Sequence, residues 1–115
     1  MALRKHLDRK TLVWLRGEVQ SPPFSDEGRY EAGMLLRLLQ EGVLLGMPHS
    51  RPLPSVGRRC HELRIRDSGH NWRIVYRLDP TAIFIANVFA KTGKVTQQRE
   101  FDKAKERLKE YDRSQ

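Results

Sequence analysis

The fold is decided by His61-Glu-Leu-Arg-Ile-Arg-Asp67, a Ser68-Gly69 turn, Trp72-Arg-Ile-Val-Tyr-Arg-Leu78 and then Ala82-Ile-Phe-Ile-Ala-Asn-Val-Phe89. Side chains alternate between the two faces of a strand. Leu63 and Ile65 therefore share one face, and Glu62, Arg64 and Arg66 share the other. In the next run Arg73 and Arg77 lie opposite Trp72, Ile74, Tyr76 and Leu78. Strands over 61–67, 72–78 and 82–89, joined by the tight Asp67-Ser-Gly and Asp79-Pro turns, predict an antiparallel meander. Its back is apolar and its front is rich in arginine. Such a front suits a polyanion, so RNA or DNA leads the substrate classes.

Working outward, Thr11-Leu-Val-Trp-Leu15 reads as a first strand at a sheet edge, and residues 1–9 as a basic arm. Pro22-Pro23 blocks both helix and ladder, which makes Gly17 to Pro23 a connector. Ser25 is placed to cap a helix with Asp26 and Glu27 in its first turn. Met34, Leu35, Leu38 and Leu39 recur at helical spacing, and Gly42 stops the helix. Gly46 to Gly57 contains Pro48, Pro52 and Pro54 and reads as an irregular loop of functional length. Thr96 is placed to cap a last helix striped by Phe101, Ala104, Leu108 and Tyr111.

The predicted fold class is α+β: an antiparallel sheet of about four strands packed against N-terminal and C-terminal helices, in one domain spanning 1–115. Leu63, Ile65, Trp72, Ile74, Tyr76, Phe84, Phe101 and Leu108 form the expected core.

Twenty-two Lys+Arg stand against fourteen Asp+Glu, a net charge of +8. Residues 58–77 hold six arginines (58, 59, 64, 66, 73 and 77) against Glu62 and Asp67, a local net of +4. That clustering points to nucleic acid or an acidic partner protein. The lone Cys60 needs no oxidising compartment and reads as a small apolar filler. The four histidines lack ligand spacing, so neither a metal nor another cofactor is expected. Without a signal-peptide core or an apolar run near ~18 residues, the sequence predicts a cytoplasmic protein with no membrane partner.

Within the basic cluster, Arg64 and Arg73 suit phosphate best, because a guanidinium fork binds phosphate oxygens bidentately and a strand holds it rigidly. The competing reading is a solvated arginine face paired with Glu62 or Asp67. Lys91 and Lys94 enter the last helix beside Gly93, where a phosphate could also meet backbone N–H groups; a plain charged connector is the alternative. Arg66, Arg77, Arg58 and Arg59 are candidate RNA contacts. His61 is a candidate acid or base, against a packing role. Tyr76, Tyr111 and Trp72 lie on apolar stripes and read as core.

Glu62-Leu-Arg-Ile-Arg-Asp, Trp72-Arg-Ile-Val-Tyr, Val88-Phe-Ala-Lys-Thr-Gly-Lys-Val-Thr and Ala104-Lys-Glu-Arg-Leu-Lys-Glu-Tyr together resemble the RelE/ParE toxin superfamily, in its HigB-type, phage-derived branch. The resemblance covers about residues 11–111. Trp72 stands where that family often has Tyr, Ala90 replaces the first Lys of a usual pair, and Gln97 replaces Pro. The resemblance implies a type II toxin, an endoribonuclease that cuts mRNA on the ribosome and is neutralised by a helix-turn-helix antitoxin. The ParE branch of the same fold instead poisons gyrase without hydrolysis, and fold alone does not separate the two.

Overall fold

The structure is a computed structural model that describes residues 9–115; apart from Arg9, the basic arm expected over 1–9 lies outside the described residues. Among the described residues the chain forms β1 (Thr11–Trp14), α1 (Asp26–Gln40), β2 (Ser50–Pro52), β3 (Cys60–Asp67), β4 (His70–Leu78), β5 (Ala82–Ala90) and α2 (Lys94–Arg113). The strands make one mixed sheet in the order β1-β5-β4-β3-β2. The meander β3-β4-β5 is antiparallel, while β1 runs parallel to β5 at the edge. The fold is α+β, as expected, with two corrections to the sheet. It has five strands, not about four, and it is not purely antiparallel. The additional strand, β2, falls inside the segment expected to be irregular. Pro52 is compatible with it because β2 is an edge strand whose outer side needs no ladder bond.

Local chemistry accounts for the joints. Gly69 has φ +75°, the conformation a two-residue hairpin loop between β3 and β4 demands. Ser25 caps α1 by accepting from the Gly28 N–H at 3.0 Å. Asp67, the last residue of β3, accepts from the Ser25 N–H (2.9 Å), the Ser25 hydroxyl and the Trp72 indole N–H (3.2 Å). One carboxylate thus ties the hairpin to the start of α1. These hydrogen bonds, the Ser25 hydroxyl foremost, hold its pKa down at about 2. The last helix starts at Lys94 with Gly93 in the cap position, three residues ahead of the expected Thr96 cap.

A larger correction concerns the front of the sheet. α1 buries Ala32, Leu35, Leu36 and Leu39 against Leu63, Ile65, Ile74 and Ile85 on one face. The other face is not a solvated arginine surface. Phe84, Ala86 and Phe89 of β5, with Val75 of β4, need cover there, and α2 supplies it with Phe101, Ala104 and Leu108. A register shift opposite Val75 and Tyr76 leaves Ala86 as the extra residue of a bulge, and its carbonyl accepts from Arg107 of α2 at 2.9 Å. The core residues expected from alternation, including Phe84, are all buried. Arg73 and Arg77 are buried too, at 6% and 8% exposure, because β4 lies next to the covered β5.

Candidate nucleic-acid cleft

One cleft, of about 430 Å³, opens beside β3 and β4 where α2 does not reach. Arg64, Arg66, Asn71 and Arg73 line its floor, Met47, Pro48 and His49 one wall, and Glu31 of α1 its margin. The floor follows from register. Arg64 is the direct partner of Arg73, and Arg66 of Asn71, all on one face. Directly opposed Cβ atoms lie ~5 Å apart, within reach of a single phosphate for two guanidinium groups. The wall is held by the Arg64 N–H, which donates to the carbonyl of His49, the residue just before β2, at 2.8 Å.

The electrostatics favour an anion. Among the described residues neither Arg64 nor Arg66 has a carboxylate partner; the Arg64 side chain meets only Met47 Sδ, at 3.6 Å. Arg73 spends one terminal N–H on the Trp72 carbonyl (3.2 Å), and its Nε lies 3.5 Å from Glu62 Oε1 without hydrogen-bond geometry. Burial pushes the Arg73 pKa down, Glu62 pushes it up, and Arg64 and Arg51 push it down again. Glu62 is wholly buried, with Oε2 2.7 Å from Arg51 Nη2. A guanidinium stays charged in any such setting, so the floor presents three cations against the margin's one carboxylate, Glu31.

The remaining candidates fall elsewhere. The Lys91 N–H donates to the Asn71 carbonyl at 2.8 Å, which puts its backbone at the end of the cleft, although its side chain is not part of the lining. Lys94 is exposed at the first turn of α2 and is likewise not part of that lining. His61 is turned away from the arginines, because odd-numbered positions of β3 face α1. Its ring stacks on Tyr76 at 5.3 Å and its Nδ1 lies 3.2 Å from the Arg59 carbonyl; burial pushes its pKa down. Arg77 sits four residues from Arg73, roughly 13 Å along the strand, and is engaged by carboxylates. It bonds Asp79 at 2.8 and 3.1 Å and Asp112 at 2.9 and 3.0 Å. Those bonds, Asp112 first, raise its pKa. Arg58 and Arg59 share with it a second, smaller cleft of about 260 Å³, together with Lys105 and Lys109. The basic cluster therefore divides into two patches at opposite ends of β3 and β4.

Cys60 is buried at that second patch, and burial pushes its thiol pKa up, as a filler thiol requires. Among the described residues no three His, Cys, Asp or Glu side chains are grouped to hold a metal ion. None of their helices is long and apolar enough to cross a membrane.

His49, Asn71 and Glu31 line the cleft without having stood out in the sequence. Asn71 had a signal, since alternation from Arg73 puts it on the same face. His49 had only the length of its proline-bearing loop. Glu31 had none, because its approach depends on where α1 crosses the sheet.

A search of curated proteins found no match to this chain, and neither did a search of solved structures. The family described as "Phage derived protein Gp49-like (DUF891)" matches residues 23–109, which run from the connector before α1 to the last turns of α2 and include every residue of the cleft. The chain belongs to this phage-derived Gp49-like family, a RelE/HigB-like toxin family of toxin-antitoxin systems.

Proposed function

We propose that this toxin is an endoribonuclease that cuts mRNA on the ribosome at the Arg64–Arg73 cleft, by metal-independent attack of the neighbouring 2′-hydroxyl. The observation that carries the reading is the pair itself: two arginines directly opposed on rigid strands, at the floor of one cleft, with donors left for a ligand. In this reaction the 2′-oxygen bonds to phosphorus, its proton passes to a base, and the P–O5′ bond breaks as the 5′-oxygen gains a proton. The products are a 2′,3′-cyclic phosphate and a 5′-hydroxyl. Negative charge builds on the phosphorane oxygens, where preorganised cations usually contribute the largest single effect. Arg73 and Arg64 take that role. Arg66 and the Lys91–Lys94 segment hold flanking phosphates.

His61 cannot share this cleft from the opposite face, so the proton-transfer role passes to His49, the histidine that lines it. Arg58 and Arg59, with Lys105 and Lys109, form an outer track for RNA backbone away from the chemistry.

Primer-extension mapping of mRNA ends after induction tests the proposal. Cuts phased to codons are expected, and Arg64→Ala, which removes a partly exposed side chain, or Arg73→Lys, which keeps a cation beside the buried Glu62, should abolish them and relieve growth arrest while the protein stays folded. Intact mRNA accompanied by DNA double-strand breaks would replace the nuclease with a gyrase poison.

A further inference from the structure

We infer that Glu62, which does not line the cleft, is its positioning residue: a buried carboxylate that holds Arg73 by its Nε end and leaves the other end of the guanidinium for the phosphate. The inference deepens the nuclease reading and rests on it. Glu62 is 0% exposed, and its neighbours of opposite charge are Arg51, its direct partner on β2, and Arg73, diagonally across on β4. Neither carboxylate oxygen meets hydrogen-bond geometry with any group among the described residues, so the two guanidiniums alone compensate the buried charge. Arg51 reaches in from the solvent edge; Arg73 reaches in from the cleft.

That arrangement fixes how the Arg73 guanidinium is oriented, by an ion pair at one nitrogen and a hydrogen bond at another. Nε faces Glu62, and Nη1 donates to the Trp72 carbonyl. Among the described residues Nη2 makes no hydrogen bond of its own. A planar fork restrained at two of its three nitrogens has little freedom left, which is what a transition state requires of a cation aimed at developing charge. The charge count gives Glu62 a second effect of opposite sign. With Arg51, Arg64 and Arg73 around it, the carboxylate lowers the positive potential that the incoming phosphate meets. Positioning and attraction therefore pull in different directions on substitution, and the two can be separated.

In Glu62→Gln a negative charge disappears beside the cleft while the grip on Nε weakens. Binding of a 2′-O-methylated RNA, which cannot be cut, should stay equal or tighten. Cleavage of the unmodified RNA should slow by about 10- to 100-fold in kcat, the scale of a misplacement of about 1 Å. The Arg73 Nε–H signal in a proton–nitrogen correlation spectrum, assigned by its disappearance in Arg73→Lys, should shift or vanish. Glu62→Asp keeps the charge with a shorter reach, so it should slow cleavage by a smaller factor and leave binding unchanged; it carries the test if Glu62→Gln fails to fold.

A wild-type kcat in either folded variant overturns the inference. So does a loss of binding and cleavage in one proportion, matched to the folded fraction read by circular dichroism, since that is what a merely structural glutamate would produce. The nuclease reading fails separately. If the wild-type protein binds the methylated RNA but cuts none, while the Arg73 signal still depends on Glu62, the cleft is a binding site that Glu62 organises. If it cuts RNA and the Arg73 signal ignores Glu62, only the positioning role falls.

Discussion

Arg73 and Arg77 occupy the same face of β4 and are almost equally buried, yet their surroundings set them different tasks. Arg77 binds two carboxylates through four hydrogen bonds and lies 5.2 Å from the centre of the Phe84 ring, so it fastens the end of α2 to the β4–β5 turn. Removing it leaves Asp79 and Asp112 partly exposed and able to regain water. Arg77→Ala should therefore cost about 1–3 kcal/mol, below the full penalty of orphaning a buried charge. Urea unfolding checks this, and the folded fraction should still cut RNA at the wild-type rate. Alternation put both arginines on one face of the sequence reading, and that much was legible. What separates them was not. Arg77 depends on Asp112, 35 residues away, and Arg73 on a buried glutamate whose burial follows from neighbouring strands. His61 shows the opposite failure, because the parity that placed Arg64 and Arg73 together already put His61 on the other face.

Asp67 carries the clearest dependence on pH. Its ordinary pKa of 3.8 falls to about 2 in the folded protein, chiefly through the Ser25 hydroxyl and N–H. A carboxyl depressed on folding adds stability that is fully present above its unfolded pKa and is lost as pH falls through its folded value. The urea midpoint should hold above pH 3.8 as far as this group is concerned and decline between there and about pH 2. Asp67→Asn should flatten that part of the profile, and a decline of unchanged size in the variant would show that other carboxyls govern the acid limb.

At the scale of elements, two glycines of α1 make a matched pair. A Cβ on Gly28 would lie 2.5 Å from Asp67 Oδ2, so Gly28→Ala must push apart the joint between hairpin and helix. A Cβ on Gly33 meets nothing within 4 Å. Gly33→Ala should stabilise by about 0.5–1 kcal/mol, the usual gain from removing glycine inside a helix. Gly28→Ala should destabilise by about 1–3 kcal/mol through loss of hydrogen bonds to a charged acceptor. Thermal melts of the two variants that shifted in the same direction would contradict this account of α1. The helix was readable because its signals are local: the Ser25 cap, the acidic first turn and the apolar spacing. β2 was not, since three residues with a proline acquire strand geometry only from the partner that β3 provides. Nor was the cover on the second face. β5 reads as apolar on both sides, which announces that something must pack there without saying that α2 does.

For the whole molecule, the question is how a neutralising partner finds it. The chain carries a net charge of +8, and its toxin family implies an antitoxin. Most of the large apolar side chains exposed among the described residues fall in one stretch: Tyr30 and Met34 on the outer side of α1, then Val43, Leu44 and Met47 in the segment after it. Tyr30 and Met34 are one helical turn apart, and both are exposed. Met47 already belongs to the wall of the arginine cleft. An acidic amphipathic segment of the antitoxin can lay its apolar side on this stripe, while its charges complement the basic surface and its end approaches the cleft. Two dependences follow, and they fall on different rate constants. Opposite charge accelerates the encounter, so stopped-flow association should slow by about tenfold or more from low to high salt. If the apolar stripe is where the complex is held once formed, Tyr30→Asp and Met34→Asp should raise the dissociation rate and leave most of the salt dependence in place. An association rate indifferent to salt would remove electrostatic steering. Dissociation unchanged in both variants would move the antitoxin off α1 and onto the basic sheet edge, where Arg64→Ala would then be the variant that weakens the complex.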